Sequence, residues 1–239
     1  MQVSKWVAVT LTVLLLGGKV FAQNVDDIIA KHVDAMGGKD KLAALNSVYE
    51  ETNSTIMGNE LPAKVWVVNN VGFRMEMDMM GSQMVTVVNR QKGWMINPMA
   101  GSTDPQALPD DAVKMFAHRM VLGGQLYNYK ERGYTATLVG KEAVNGKDTY
   151  KIKLSKAGES DATYYVDAAT YYIDKSAAMS YMNGQSTEQD IIFTDYKKTP
   201  EGYVFPNSYT IELPQGELVT TMTKVVVNQP IDTAKFQNP

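Results

Sequence analysis

The side chains whose types and spacing promise most lie between residues 73 and 80. Phe73, Met75, Met77 and Met79 alternate with Arg74, Glu76 and Asp78. Successive side chains of a strand point to opposite faces, so this segment offers an apolar wall on one side and a charged, solvated row on the other. Met84, Met95 and Met99 follow, and seven of the 15 methionines fall within residues 75–99. Methionine is unbranched and polarizable, so a wall of it adapts to ligands of many lengths and conformations. Such a wall does not make or break bonds. It shelters an apolar ligand, and acyl chains suit it best. Trp66 and Trp94 belong to the same set of strands, and a helix over about 109–122 carries Val113, Phe116, Ala117, Met120 and Val121 as one apolar stripe, a lid or plug for the wall. The expected ligand-binding set is Trp66, Phe73, Met75, Met77, Met79, Met84, Trp94, Val113, Phe116 and Met120. The competing reading of the same residues is a Met-rich core that fills gaps beneath the helices.

Catalytic spacings are missing. The chain has no G-x-S-x-G elbow, no H-E-x-x-H, no P-loop and no G-x-G-x-x-G. It has no Cys and two His, so it lacks a thiolate nucleophile, a disulfide, a zinc finger or an iron–sulfur cluster, and has little material for a His-based metal site. His32 and His118 both fall on expected helices with surface-like neighbours. Asp110 and Asp111 sit in the first turn of a helix, where negative charge is favoured electrostatically. The expectation is no enzyme, no catalytic residue, no metal and no cofactor, with a lipid- or glycan-acting hydrolase as the enzymatic alternative. A net charge of −3 gives no footprint for nucleic acid.

The elements that must position the wall are legible in the patterning. Residues 1–22 read as a secretory signal peptide: Lys5, an apolar run from Trp6 to Leu16 too short to span a bilayer, and a cleavage site near Ala22. Residues 23–239 then form one domain, exported, soluble and monomeric. Asn24 is the expected N-cap of a first helix whose apolar positions Val25, Ile28, Ile29, Val33 and Met36 end at Gly37-Gly38. A short second helical turn spans Lys39 to Leu45. From Asn46 the period changes to two, with strands at about 46–57, 61–70, 72–80, 83–90 and 92–97, a loop at 98–108, and the third helix from Pro109. A second run of strands occupies about 134–140, 147–155, 161–167, 170–182, 187–197, 203–213 and 217–228, with Asn145-Gly146 and Asn183-Gly184 as tight hairpin turns. The fold class is α+β and mainly antiparallel β. A meander of up to twelve strands curls strongly, giving a half-open β-barrel with about three helices covering the concave face.

The ordered features resemble the periplasmic lipoprotein-carrier (LolA-like) superfamily, and within it the lipoprotein-sorting protein-like group of Bacteroidetes. They are Met36-Gly37-Gly38 closing the first helix, Gly93-Trp94 after a hairpin, Val139-Gly140-Lys141-Glu142 before Asn145-Gly146, Tyr164-Tyr165-Val166-Asp167, Thr194-Asp195-Tyr196, and the ending from Val227-Asn228 through Ile231 to Phe236 and Pro239. The resemblance implies a half-open barrel whose concave side binds lipoprotein acyl chains or other lipids. It also implies a non-enzymatic periplasmic carrier working between an inner-membrane donor and an outer-membrane acceptor. The family's barrel Arg that latches the helical lid has Arg74 as its nearest counterpart, but alternation sets Arg74 opposite the Met row. A structural or interaction domain on the same scaffold, with a filled core, is the alternative.

Overall fold

The computed structural model describes residues 24–79, 81–182 and 185–239. The signal peptide expected at 1–22, the turn at Asn183-Gly184 and the last residue of the 72–80 strand lie outside the described residues.

Helix α1 (Val25–Ala35) begins as its sequence dictates, with the Asn24 side chain accepting from the Asp26 N–H at 3.2 Å. It ends in a Schellman pattern: Gly38 N–H donates to Val33 O and Gly37 N–H to Asp34 O. Both glycines have positive φ, and a Cβ at Gly37 would press on the Gly202 carbonyl at 2.9 Å. A short α2 (Lys39–Ala43) follows.

Thirteen strands form one antiparallel sheet. The first run comprises β1 (Ser47–Ile56), β2 (Asn59–Val68), β3 (Gly72–Met79), β4 (Ser82–Asn89), β5 (Gly93–Asn97) and β6 (Ser102–Ala107). The second comprises β7 (Thr135–Val144), β8 (Lys147–Ser155), β9 (Ala162–Asp167), β10 (Ile173–Met182), β11 (Gln185–Lys198), β12 (Val204–Leu213) and β13 (Gly216–Val227). Strand β6 corrects the loop expected at 98–108. Its composition is loop-like, yet it is an edge strand, where Pro105 costs no ladder hydrogen bond.

The sheet order runs β6-β5-β4-β3-β2-β1-β13-β12-β11-β10-β9-β8-β7. Each half is a meander that grows outward from the central β1–β13 pair, leaving β6 and β7 at opposite edges. The connection between them, residues 108–134, therefore crosses the concave face. It contains α3 (Asp110–Ala117) and a 3-10 turn over His118–Met120. Helix α3 touches β3 and β4 on one side and β10 on the other. Strands that far apart in the sheet meet one helix only if the sheet is strongly curled, which makes the architecture a half-open barrel with helices inside its curve.

Three apolar clusters line the concave face. Ile28 and Ile29 of α1 pack with Leu126, Tyr129 and the β8–β9 residues Ile152 and Val166. Leu42, Leu45, Val48 and Tyr203 form the middle cluster. Val65, Val67, Phe73 and Met120 form the third, beneath Phe116 and Ala117. A fourth cluster lies on the convex face, where Phe236 is sealed against Val85 and Val87. Gly72 is required there, because a Cβ would overlap the Phe236 ring.

Candidate functional site

Strand register assigns each candidate residue to a face. Val67 pairs with Phe73, Val65 with Met75 and Ala63 with Met77. Across the next ladder Phe73 pairs with Val88, Met75 with Thr86 and Met77 with Met84. Phe73, Met75, Met77, Met79 and Met84 thus share the concave face with Val65 and Val67. The lid residues meet them there. Phe116 stacks on Phe73 at 5.9 Å between ring centroids, Met120 is buried in the same cluster, and a Cβ on Gly93 would meet Val113 at 3.2 Å. Gly93 lets the helix approach the sheet at this point.

Trp66 and Trp94 are not part of this group, which corrects the expected set. Trp66 pairs with Arg74, Arg74 with Val87, and Val87 with Trp94, so all four point to the convex face. Both tryptophans pack in the cluster around Phe236, and the Lys235 ammonium lies 4.6 Å from the Trp66 ring centroid. Arg74 also faces away from the lid, bonding Glu76 at 2.7 Å and the Lys235 carbonyl at 3.2 Å. Proximity along the chain grouped the tryptophans with the Met row. Strand parity separates them.

The Met row is divided. Phe73 is fully buried, and Met75 packs at the margin of the cluster beneath α3. Met77, Met79, Met84 and Met95 are half-buried and belong to none of the four clusters. Met95 pairs with Thr86 and so extends the row, although it was not among the expected residues. Sequence parity within its own strand could have found it, since it alternates with Trp94. The Thr86 hydroxyl between Met75 and Met95 is buried without a hydrogen-bond partner among the described residues.

One carboxylate interrupts this floor. Glu50 pairs with Val65 on one side and Val225 on the other, in the same cross-strand line as Met75 and Met95. Burial raises its pKa, and the charge of Arg119 in the 3-10 turn pulls it back. The Arg119 guanidinium lies 5.1 Å from the Phe73 ring centroid. Glu50 was not legible as a site residue, because nothing within its own strand marks it off from its neighbour Glu51.

The lid is pinned at both ends. Leu108 N–H donates to Gly93 O at 2.9 Å, and Asn70 N–H to Met120 O at 2.9 Å. Beside it a concavity of about 360 Å3 is bordered by Lys114, His118, Arg132, Tyr134, Lys156 and Glu159. Burial alone would raise the Glu159 carboxyl, but Lys156 at 2.7 Å, the Tyr134 hydroxyl and His118 at 3.3 Å hold it down at about 2. His118 is thus a surface partner of this acid. His32, expected as a partly buried helix residue beside the apolar stripe, is buried, and its Nδ1–H donates to Tyr171 O at 2.8 Å. A second groove of about 220 Å3 lies over Phe205, Met222 and Val225, rimmed by Lys197, Lys198 and Lys224. Small-molecule sites commonly occupy roughly 300–1,000 Å3. Neither concavity holds a whole long acyl chain while α3 is seated. Among the described residues, no three His, Asp or Glu side chains converge as metal ligands would.

No protein-family model and no curated protein matches the sequence. Solved structures match over nearly the whole chain. One, designated an outer membrane lipoprotein-sorting protein domain from Vibrio parahaemolyticus, is 12% identical with a TM-score of 0.55, covering 88% of this chain and 94% of its own. A LolA superfamily protein from Nitrosomonas europaea is 13% identical with a TM-score of 0.56, covering 90% and 98%. A DUF1329 family protein from Desulfovibrio piger is 15% identical with a TM-score of 0.56, covering 89% and 97%. The chain has the LolA-like fold.

Proposed function

We propose that this protein is a carrier that shelters acyl chains against the Met-lined half of its concave face, with α3 as a plug that the cargo displaces. The observation that carries this reading is the half-buried run Met77, Met79, Met84 and Met95, an apolar surface continuous with the core beneath α3 yet outside it. The filled-core reading fits Phe73 and Met75, which α3 covers, and does not account for the rest of the row. The cargo class is lipoprotein acyl chains or other lipids, a choice supported by the fold shared with a domain designated for lipoprotein sorting. The protein works as a soluble periplasmic monomer after cleavage near Ala22, receiving cargo at the inner membrane and yielding it at the outer. No helix among the described residues is long and apolar enough to cross a membrane.

The energetics suit transient holding. A long chain of about 15 methylenes gains roughly 12 kcal/mol gross at about 0.8 kcal/mol per CH2. Displacing Met120, which is buried, and Val113 and Phe116, which are half-buried, forfeits roughly a third of this, at about 1.5–3 kcal/mol for a fully buried side chain and about half that for a half-buried one. The remainder must also meet the cost of association. A carrier balanced this way binds and lets go.

Two measurements test the reading. Organic extraction and mass spectrometry of the purified protein should recover lipid in stoichiometric amount. Met77→Asp should leave a folded protein that takes up the neutral apolar fluorophore N-phenyl-1-naphthylamine at least roughly tenfold more weakly, since a carboxylate in the floor opposes an apolar ligand. A lipid-free protein that ignores the fluorophore refutes the carrier reading, and a Met77→Asp chain that unfolds favours the filled core.

A further inference from the structure

The concavity of about 360 Å3 beside the lid gathers positive charge on a chain whose net charge is −3. Lys114 and His118 border it from α3 and the 3-10 turn, and Arg132, Tyr134, Lys156 and Glu159 from the wall where the chain enters β7 and leaves β8. With His118 neutral, three cations face one carboxylate, a surplus of two positive charges. That carboxylate is already satisfied: Glu159 takes Lys156 at 2.7 Å, His118 Nε2 at 3.3 Å and the Tyr134 hydroxyl. The other two cations lack a strong counter-charge. Arg132 is half-buried and donates to neutral acceptors, Gln125 Oε1 at 2.8 Å, Gln125 O, and Tyr127 O at 3.2 Å. Among the described residues no carboxylate lies within 4.0 Å of it, and its Nε is buried without a partner. Lys114 has Asp111 at 3.3 Å, in a pair whose side chains are 66% and 78% exposed. Exposed pairs of this kind contribute little, so the Lys114 ammonium is free to turn. Arg132 and Lys156 lie 5.1 and 4.9 Å from the Tyr134 ring centroid, which holds both charges beside one surface.

We propose that this concavity is a phosphate-binding site, with Lys114 and Lys156 as donors to the phosphate oxygens and Arg132 as a fixed charge beside them. The surplus of two charges matches a phosphomonoester dianion rather than a carboxylate. Lysine ammonium groups bind phosphate as point charges, without the planar fork that Arg132 has already spent on Gln125 and Tyr127. A volume of about 360 Å3 exceeds what a bare phosphate needs and falls within the roughly 300–1,000 Å3 of small-molecule sites, so it has room for the group that the phosphate esterifies. The inference does not depend on the carrier reading, because the site lies beside α3 and not beneath it. A phosphate held from both walls also ties the lid turn to the barrel. The shared chemistry is the phosphomonoester, carried either by a soluble metabolite or by a lipid headgroup.

The test titrates inorganic phosphate, phenyl phosphate and glycerol 3-phosphate into the purified protein at constant ionic strength, with the backbone amide shifts of Gly133, Tyr134 and Lys156 followed by NMR. The shifts should saturate with each phosphate, and chloride at the same ionic strength should not reproduce them. Lys114→Gln with Lys156→Gln should weaken binding at least roughly tenfold. Lys114→Gln alone, at an exposed side chain that folding does not need, should weaken it by about threefold. Lys39→Gln, on α2 and outside the concavity, should change it by less than about twofold. Dihexanoyl phosphatidic acid below its micelle concentration distinguishes the sources. Binding at least roughly tenfold tighter than glycerol 3-phosphate, and weakened by the double substitution, assigns the site to a lipid headgroup, whereas equal affinity assigns it to a soluble phosphate ester. Shifts that do not saturate overturn the proposal. So does phosphate binding that survives the double substitution, or that Lys39→Gln weakens as much, since the lysines of the concavity would then act only through the general charge of the surface.

Discussion

If α3 is a plug, weakening its seat should tighten cargo binding. Phe116→Ala is the sharpest perturbation. The Phe116 ring stacks on the fully buried Phe73 at 5.9 Å and 22°, and the residue is itself half-buried. Truncating a fully buried Phe costs about 3–5 kcal/mol, so a half-buried ring in this position is worth about 2 kcal/mol to the seated lid. Cargo and lid compete for Val65, Val67, Phe73 and Met75. Destabilising the seated state by about 2 kcal/mol should then raise apparent affinity by up to roughly 30-fold, because the binding-competent open state becomes more populated. The same substitution should lower the melting temperature by about 4–8 °C for a chain of this size. Fluorophore titration and thermal melting on one preparation read both effects. A variant that is less stable and also binds more weakly would refute the plug, since it would show that Phe116 lines the occupied site and contributes to holding the cargo.

Three further outcomes follow from the packing and the charges. Gly72→Val should loosen the C-terminal segment from the convex face, with a destabilisation of about 1–3 kcal/mol, because its side chain would claim the space of the Phe236 ring. Denaturant unfolding measures this, and Trp66 emission should shift as its cluster opens. Gly37→Ala should destabilise by at least about 1 kcal/mol, since φ of +127° and the Gly202 carbonyl both oppose a Cβ. The Glu159 carboxyl is held at about 2 against an ordinary 4.5, so its contribution to stability is complete above about 4.5 and lost as pH falls through about 2. Glu159→Gln should flatten the acid limb of the stability profile in that window, and an unchanged limb would show that the Lys156, Tyr134 and His118 contacts do not hold in solution.

Elements governed by local rules were legible in the sequence. Asn24 and Gly37-Gly38 bracket α1 because capping is decided within a few residues, and Asn145-Gly146 turns β7 into β8 for the same reason. Strand alternation placed Phe73, Met75 and Met77 on one face. What alternation cannot supply is the relation between strands. Trp66 looked like a companion of Phe73 until the pairing of Trp66 with Arg74 put it on the other side. Strand β6 hid behind Pro105, Asp104 and Gly101, residues that mark loops everywhere except at a sheet edge. His32 reads as a partly buried helix residue, and the carbonyl that satisfies it, on Tyr171, lies 139 positions away, beyond any local pattern. Arg119 comes to lie over the Phe73 ring only after the chain has crossed the sheet, and no local pattern records such a meeting.

That crossing has a mechanical consequence. Because β6 and β7 stand at opposite margins, the polypeptide between them is anchored twice, and its second anchorage is deep: Met120, then Leu122 and Tyr127, then Leu126 and Tyr129 enter the three concave clusters. A flap hinged at one end can swing clear of an opening. This segment can only rise between its fixed feet, as a bucket handle does, with the freedom of residues 108–120 setting the height. In the proposed carrier, cargo would pass beneath an unbroken span, entering from the barrel's end rather than from above. A bulky polypeptide attached to such an acyl chain would stay outside that span while the chain slid under it, so the handle would set a limit on the thickness of what enters.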